Sequence, residues 1–229
     1  MVEMMNSGYL SHALCAKIIC NFRRALPRVK ALRSPELVKW KSCTVNFKAM
    51  EACKLGIGRY PDFEYNGLGG VGSGLAVMEE GDDSKCKVVF DLETLYVPPL
   101  SSETTRFLGL PLPPLLKIEI VPLVFEGRID MASGAAELEF VANFMFTVGR
   151  MYRAPALVVK TVLTTEESKK TIRSGKGSRI GDEGLCKLVG VATVNRVDDL
   201  FMNSFLFLPT ECLACLNAQL TFHNLPNTA

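Results

Sequence analysis

The stretch LLKIEIVPLVFEGRIDMASGAAELEFVANFMFTVGRMYRAPALVVKTVLTT, Leu115–Thr165, decides the fold. It reads as three consecutive β-strands, Leu115–Asp130, Ala136–Val148 and Ala156–Thr165, joined by short turns that are polar or contain Gly or Pro. In the middle strand Ala136, Leu138, Phe140, Ala142, Phe144, Phe146 and Val148 fall on one parity, against Glu137, Glu139, Asn143 and Thr147. Side chains alternate across a strand with period two, so one face is apolar and the other mixed. The first strand alternates as well but changes phase. Ile118 and Ile120 oppose Lys117 and Glu119; after Pro122 the apolar set becomes Leu123, Phe125 and Ile129, against Glu126, Arg128 and Asp130. A phase change at a proline predicts a bulge or sharp bend, because proline cannot donate to a central ladder. Long strands bent part-way suit a strongly curved sheet or a barrel.

Working outward, the same pattern recurs. Lys85–Val97 alternates Cys86, Val88, Phe90, Leu92 and Tyr96 against charged residues, and Leu75–Glu80 before it predicts a hairpin through Gly81–Ser84. Pro98–Pro114 is a long connection with Leu108, Leu110 and Leu112, suited to capping one end of a barrel. Leu185–Val194 and Leu216–Phe222 predict further strands. Thr210–Cys215 between them fits one helical turn capped by Thr210. The fold class is therefore mostly β: an antiparallel meander of seven or eight strands forming a barrel or strongly curved sheet, with short helical caps.

Composition divides the 229 residues unevenly. Residues 1–50 hold nine Lys or Arg against Glu3 and Glu36, whereas the remainder holds 17 basic and 22 acidic residues. The predicted organisation is a transit peptide or disordered basic tail over 1–50, a connector over 51–72, a single β domain over 73–223 and a tail over 224–229. A basic, acid-poor, Ser-containing leader predicts organelle import. The acidic body is no obvious nucleic-acid binder. No run of 18 or more predominantly apolar residues predicts a transmembrane helix. The eight cysteines show no secreted-scaffold spacing, so reduced thiols are expected.

Motifs for chemistry are few. Gly67, Gly69 and Gly72 formally make G-x-G-x-x-G, with Asp91 downstream, but Asp62, Glu64 and Asn66 stand where an apolar strand should precede it and a hairpin follows. A flexible entry into the first strand is the expectation there. His12 and His223 are the only histidines. Cys212 and Cys215 form the one CxxC, without the second pair that a structural zinc site needs, so no metal is expected and both thiols read as packed apolar residues. No cofactor is implied and no catalytic residue stands out.

The segment from about Phe107 to Leu220 resembles a family of uncharacterised β-rich proteins of plant chloroplasts and cyanobacteria. LPLPPLLKIEIVP (Leu110–Pro122), FTVGRMYRAPALVVKTVLTTEES (Phe146–Ser168), GLCKLVGVATV (Gly184–Val194) and DDLFMNSFLFLPTECLACL (Asp198–Leu216) carry the resemblance. It implies a chloroplast address, stroma or thylakoid surface, and assigns no catalytic residue.

Three functions follow as expectations. The first is a non-enzymatic plastid protein binding an apolar or amphipathic ligand (lipid, pigment or prenyl-quinone) in a cavity lined by Phe125, Phe140, Phe144 and Phe146. The loop Thr165–Gly184 reads as solvated, or as an anionic-headgroup patch of Lys169, Lys170, Arg173, Lys176 and Arg179. The second is a thylakoid-associated scaffold or assembly factor meeting a peripheral membrane or protein partner. The third is a small-ligand isomerase or cyclase in a β-barrel, which requires a buried carboxylate, Glu119 first. The interior decides among them: side chains that fill it exclude the first.

Overall fold

The structure, a computed structural model, describes residues 42–223. In chain order the strands are β1 (Ser42–Ala49), β2 (Cys53–Ile57), β3 (Phe63–Tyr65), β4 (Val71–Glu79), β5 (Asp82–Phe90), β6 (Thr105–Phe107) and β7 (Leu110–Pro111). There follow β8 (Leu116–Asp130), β9 (Ala135–Val148), β10 (Tyr152–Arg153), β11 (Leu157–Thr164), β12 (Glu167–Lys169), β13 (Ser174–Lys176) and β14 (Leu185–Val194). Among the described residues one short helix, α1 (Leu200–Phe205), precedes β15 (Thr210–His223).

Eight strands pair antiparallel in chain order, β1-β4-β5-β8-β9-β11-β14-β15, and β15 pairs back onto β1 to close a ring. The closing register runs from Thr44↔His223 to Ala49↔Ala218. Further along β15 the partner is β2, from Lys54↔Cys215 to Ile57↔Cys212. The chain thus gains two residues between β1 and β2, and Ala52 takes φ 56° there. Asn217 stitches this bulge, donating from Nδ2 to the carbonyls of Glu51 and Ala52, each at 3.1 Å. The bulge forks the sheet: β1 continues to β4, while β2 leads through β3 to β6 and β7. A bridge between Leu100 and Ile118 ties the long connection before β8 to the β8 edge.

The interior is filled at one end. Val45, Val88, Ile129, Leu138, Leu188 and Leu220 are buried together there. Above them lies an aromatic layer. Phe90 stacks on Phe125 at 4.4 Å between ring centroids, and Phe47 and Phe140 meet Phe125 edge-on at 5.4 and 5.7 Å. Such pairs add about 0.5–1.5 kcal/mol each beyond their buried area.

The phase change in β8 is present: the β8–β9 register shifts between Pro122 and Val124. Ile118 is buried before it, and Phe125 and Ile129 after it. Leu123 departs from expectation. It is the extra residue of the bulge, lacks a partner on β9 and faces outward.

Other boundaries move. The composition change at residue 50 is not the structural boundary, since β1 starts at Ser42 and buries Cys43, Val45, Phe47 and Ala49. The segment 51–72 is no connector but carries β2 and β3. The part of the leader reading that covers residues 1–41, with the tail over 224–229, lies outside the described residues. The glycine-rich stretch is not a flexible entry: Gly70 N donates to Gly67 O in a tight turn, and Gly72 and Gly74 lie inside β4. β5 stops at Phe90 because Asp91 turns the chain, its carboxylate accepting from Glu93 N and its carbonyl from Thr94 N. Leu92 is exposed in that turn.

The loop after β11 holds a two-stranded hairpin, β12–β13, lying over the outer face of β14 and β15. It covers Val189, Val191 and Leu213. β14 is therefore buried on both faces, which explains its near-continuous apolar run. Thr210–Cys215 is not helical but the first part of β15; its residues pair with β14 and β2, and this tertiary pairing overrides the capping signal. The helix forms earlier. Asp199 caps α1, with Oδ1 accepting from Met202 N at 2.8 Å. Among the described residues no helix is long and apolar enough to cross a membrane.

Candidate functional site

Above the aromatic layer the ring is hollow. A cavity of about 420 Å³ occupies this half, with Phe47, Phe125 and Phe140 at its floor. Its walls are Phe144 and Phe146 of β9, Ile118 and Ile120 of β8, Leu157 and Val159 of β11, and Leu55 and Ile57 of β2. Leu100, Leu112 and Pro113 of the long connection close one side, and Tyr60, Phe205 and Leu206 close another. Leu100 and Leu112 of this connection are buried in one cluster with Ile118, along the β8 edge of the ring.

The hollow has a cause in the sequence. On the wall opposite the β9 phenylalanines the cross-strand pairs are small, Gly190↔Ala214 and Ala192↔Cys212. One step toward the filled end the pair is Leu188↔Leu216. Phe140, Phe144 and Phe146 are only half-buried because they face this space.

The polar groups of the lining are almost all engaged. Tyr65 donates its hydroxyl to Pro98 O and Tyr60 to Phe205 O, both at 2.7 Å. Burial pushes the Tyr65 hydroxyl pKa well up, and that of the Cys212 thiol to about 11. Thr161 has a weaker contact, Oγ1 to Val162 O at 3.5 Å. Among the described residues, no carboxylate, imidazole, amine or guanidinium side chain lines the cavity. An environment of this kind holds a ligand by withdrawing its apolar surface from water, with about 0.8 kcal/mol per buried methylene.

Phe125, Phe140, Phe144 and Phe146 all line this one cavity. The five basic residues lie elsewhere, on the β12–β13 hairpin and the strap after it, outside the ring. Three of them are engaged. Lys170 Nζ donates to Thr193 Oγ1 at 2.7 Å, and Arg179 pairs with Glu166 at 2.7 Å. Arg173 turns inward over Gly56. Its guanidinium donates to the carbonyls of Gly58, Ile57 and Tyr60 and pairs with Asp62 at 2.6 Å. Beneath it the buried Glu211 carboxylate accepts from the backbone amides of Thr171, Ile172 and Arg173 at 2.8–3.0 Å. Arg173 thus pins the hairpin to the β2–β3 turn.

Glu119 does not face the cavity. It is exposed and paired with Lys117 at 2.7 Å, whose ammonium holds its pKa below the ordinary value. Cys212 and Cys215 sit on opposite faces of β15, one lining the cavity and one under the hairpin, as an i, i+3 spacing on a strand requires. No group of three or more metal-ligating side chains occurs among the described residues. Sequence reasoning missed Leu55, Ile57, Tyr60 and Tyr65 by reading their segment as a connector. The alternation of Cys53, Leu55 and Ile57 was the available signal.

Comparison with family models, with curated proteins and with solved structures finds no match to this chain.

Proposed function

We propose that this chain is a non-enzymatic plastid protein that binds an apolar or amphipathic ligand, a lipid, pigment or prenyl-quinone, in the hollow half of its ring. The carrying observation is the cavity of about 420 Å³ with an apolar lining, within the range of about 300–1,000 Å³ usual for ligand sites. A ligand with one polar group places its apolar part on the phenylalanine floor, and Thr161 offers a hydroxyl on the wall. Support for the plastid address is compositional: residues 1–41 hold eight Lys or Arg against two acids.

Native mass spectrometry of the full chain, with solvent extraction of the purified protein, tests the reading. An apolar molecule at one per chain is expected. A series of n-alkyl probes should gain about fourfold in affinity per methylene, the equivalent of about 0.8 kcal/mol, and then level off as the cavity fills. Ala214→Trp, which fills the wall opposite Phe144, should abolish probe binding while the chain still melts cooperatively. Equal probe binding by the wild type and this variant would sink the proposal.

A further inference from the structure

Exposed apolar side chains are concentrated at one end of the molecule. The seven most exposed large hydrophobic residues among those described run from Leu200 at 87% through Met151 at 82% to Phe201 at 58%. Leu108, Leu110 and Leu115 stand on the approach to β8, Met151 between β9 and β11, and Leu200, Phe201 and Phe207 between β14 and β15. Strand direction puts these three segments at the same end of the ring, the hollow one. Leu115 O accepts from Gly149 N at 2.9 Å, and Tyr152 packs edge-on against Phe201 at 5.3 Å. The filled end, where β4 meets β5 and β8 meets β9, has none of the seven.

These side chains continue the cavity lining outward. Phe107 lines the cavity and Leu108 is exposed beside it; Pro113 and Leu115 repeat the step, as do Leu206 and Phe207. Arginine accompanies them on each segment: Arg106, Arg150, Arg153 and Arg196, with Arg59 on the neighbouring β2–β3 turn. Acids share these segments: Glu103 and Asp198 are exposed beside the arginines, and two others are engaged. Asp62 pairs with Arg173, and Asp199 caps α1 and accepts from Tyr152. The turns of the filled end are acidic, with Glu80, Asp130, Asp182 and Glu183, and with Asp82 paired to Lys85 at 2.9 Å.

We infer that the hollow end is a docking rim for an anionic lipid bilayer, through which the cavity exchanges its apolar ligand. The inference rests on the cavity being a ligand site. A ligand of that class dissolves in membranes and not in water, so its route must avoid water. Separate apolar tips flanked by arginines suit a soft interface, where the tips enter the acyl boundary and the guanidiniums meet phosphate. The acidic far end favours the same orientation.

The test is co-sedimentation of the full chain with phosphatidylcholine vesicles, with and without phosphatidylglycerol, beside n-alkyl probe binding in solution. Binding to the anionic vesicles is expected, falling as salt rises. Leu108→Asp/Met151→Asp/Leu200→Asp should lose it by tenfold or more, and R150E/R153E should weaken it by about thirtyfold or more. Both variants should keep wild-type probe affinity and melting temperature. Probe binding without vesicle binding overturns the rim and leaves the cavity reading standing. So does vesicle binding that the triple variant retains, or a rim that captures a stoichiometric protein and no vesicles. Loss of probe binding by Ala214→Trp with vesicle binding intact supports both.

Discussion

Gly127 pairs with Leu138 across β8 and β9, and a Cβ there would land against the carbonyl oxygen of Glu137 and the Cα of Leu138. It lies on the inner parity between Phe125 and Ile129, where β9 folds closely over β8. Glycine at such a corner lets the backbones approach. Gly127→Ala should therefore destabilise the chain by about 1–3 kcal/mol in denaturant unfolding. Val162→Ala, on the outer face, should stay within about 0.5 kcal/mol. An unchanged midpoint for Gly127→Ala would mean the corner is not tight. At this scale the Phe stripe of β9 was legible, because parity alone separates Phe140, Phe144 and Phe146 from the glutamates. Leu123 was not. The bulge adds one residue, and a pattern of period two does not say which residue is the extra one.

The β12–β13 hairpin shows what alternation misses in an element. Its strands are three residues each, with no apolar stripe of their own. It is held by Arg173 and Glu211, whose partners lie far along the chain. Burial pushes the Glu211 carboxyl up, but the amides of Arg173, Ile172 and Thr171 outweigh it and hold the pKa below 4.5. A carboxylate so depressed in the folded state stabilises the fold above its unfolded pKa. That contribution is lost as pH falls through the lower, folded value. Melting temperature should thus be level near neutrality and fall below about pH 4.5. Glu211→Gln should melt lower than wild type at pH 7 and lose less on acidification, since the group that titrates is gone. If the two curves stay parallel down to pH 3, Glu211 is not the group that matters.

At the scale of the whole molecule, closure depends on β1, which stands between β4 and β15. Alternation within the long strands made a curved antiparallel sheet legible. Ring closure was not, because the sharp drop in basic charge near residue 50 masked the buried stripe of Cys43, Val45, Phe47 and Ala49. The cavity too depends on this strand, since Phe47 forms part of its floor and holds Phe125 edge-on at 5.4 Å. Deleting residues 1–39 should leave a soluble, cooperatively melting chain with full probe binding. Deleting residues 1–50 removes a whole ring strand and uncovers two edges at once, β4 over Val71–Val77 and β15 over Ala218–His223. Unpaired edges of that length recruit strands from other chains. The shorter chain should therefore aggregate or run as a large oligomer in size exclusion, and take up no n-alkyl probe. A monomeric, probe-binding product of the 1–50 deletion would show that the ring does not need β1.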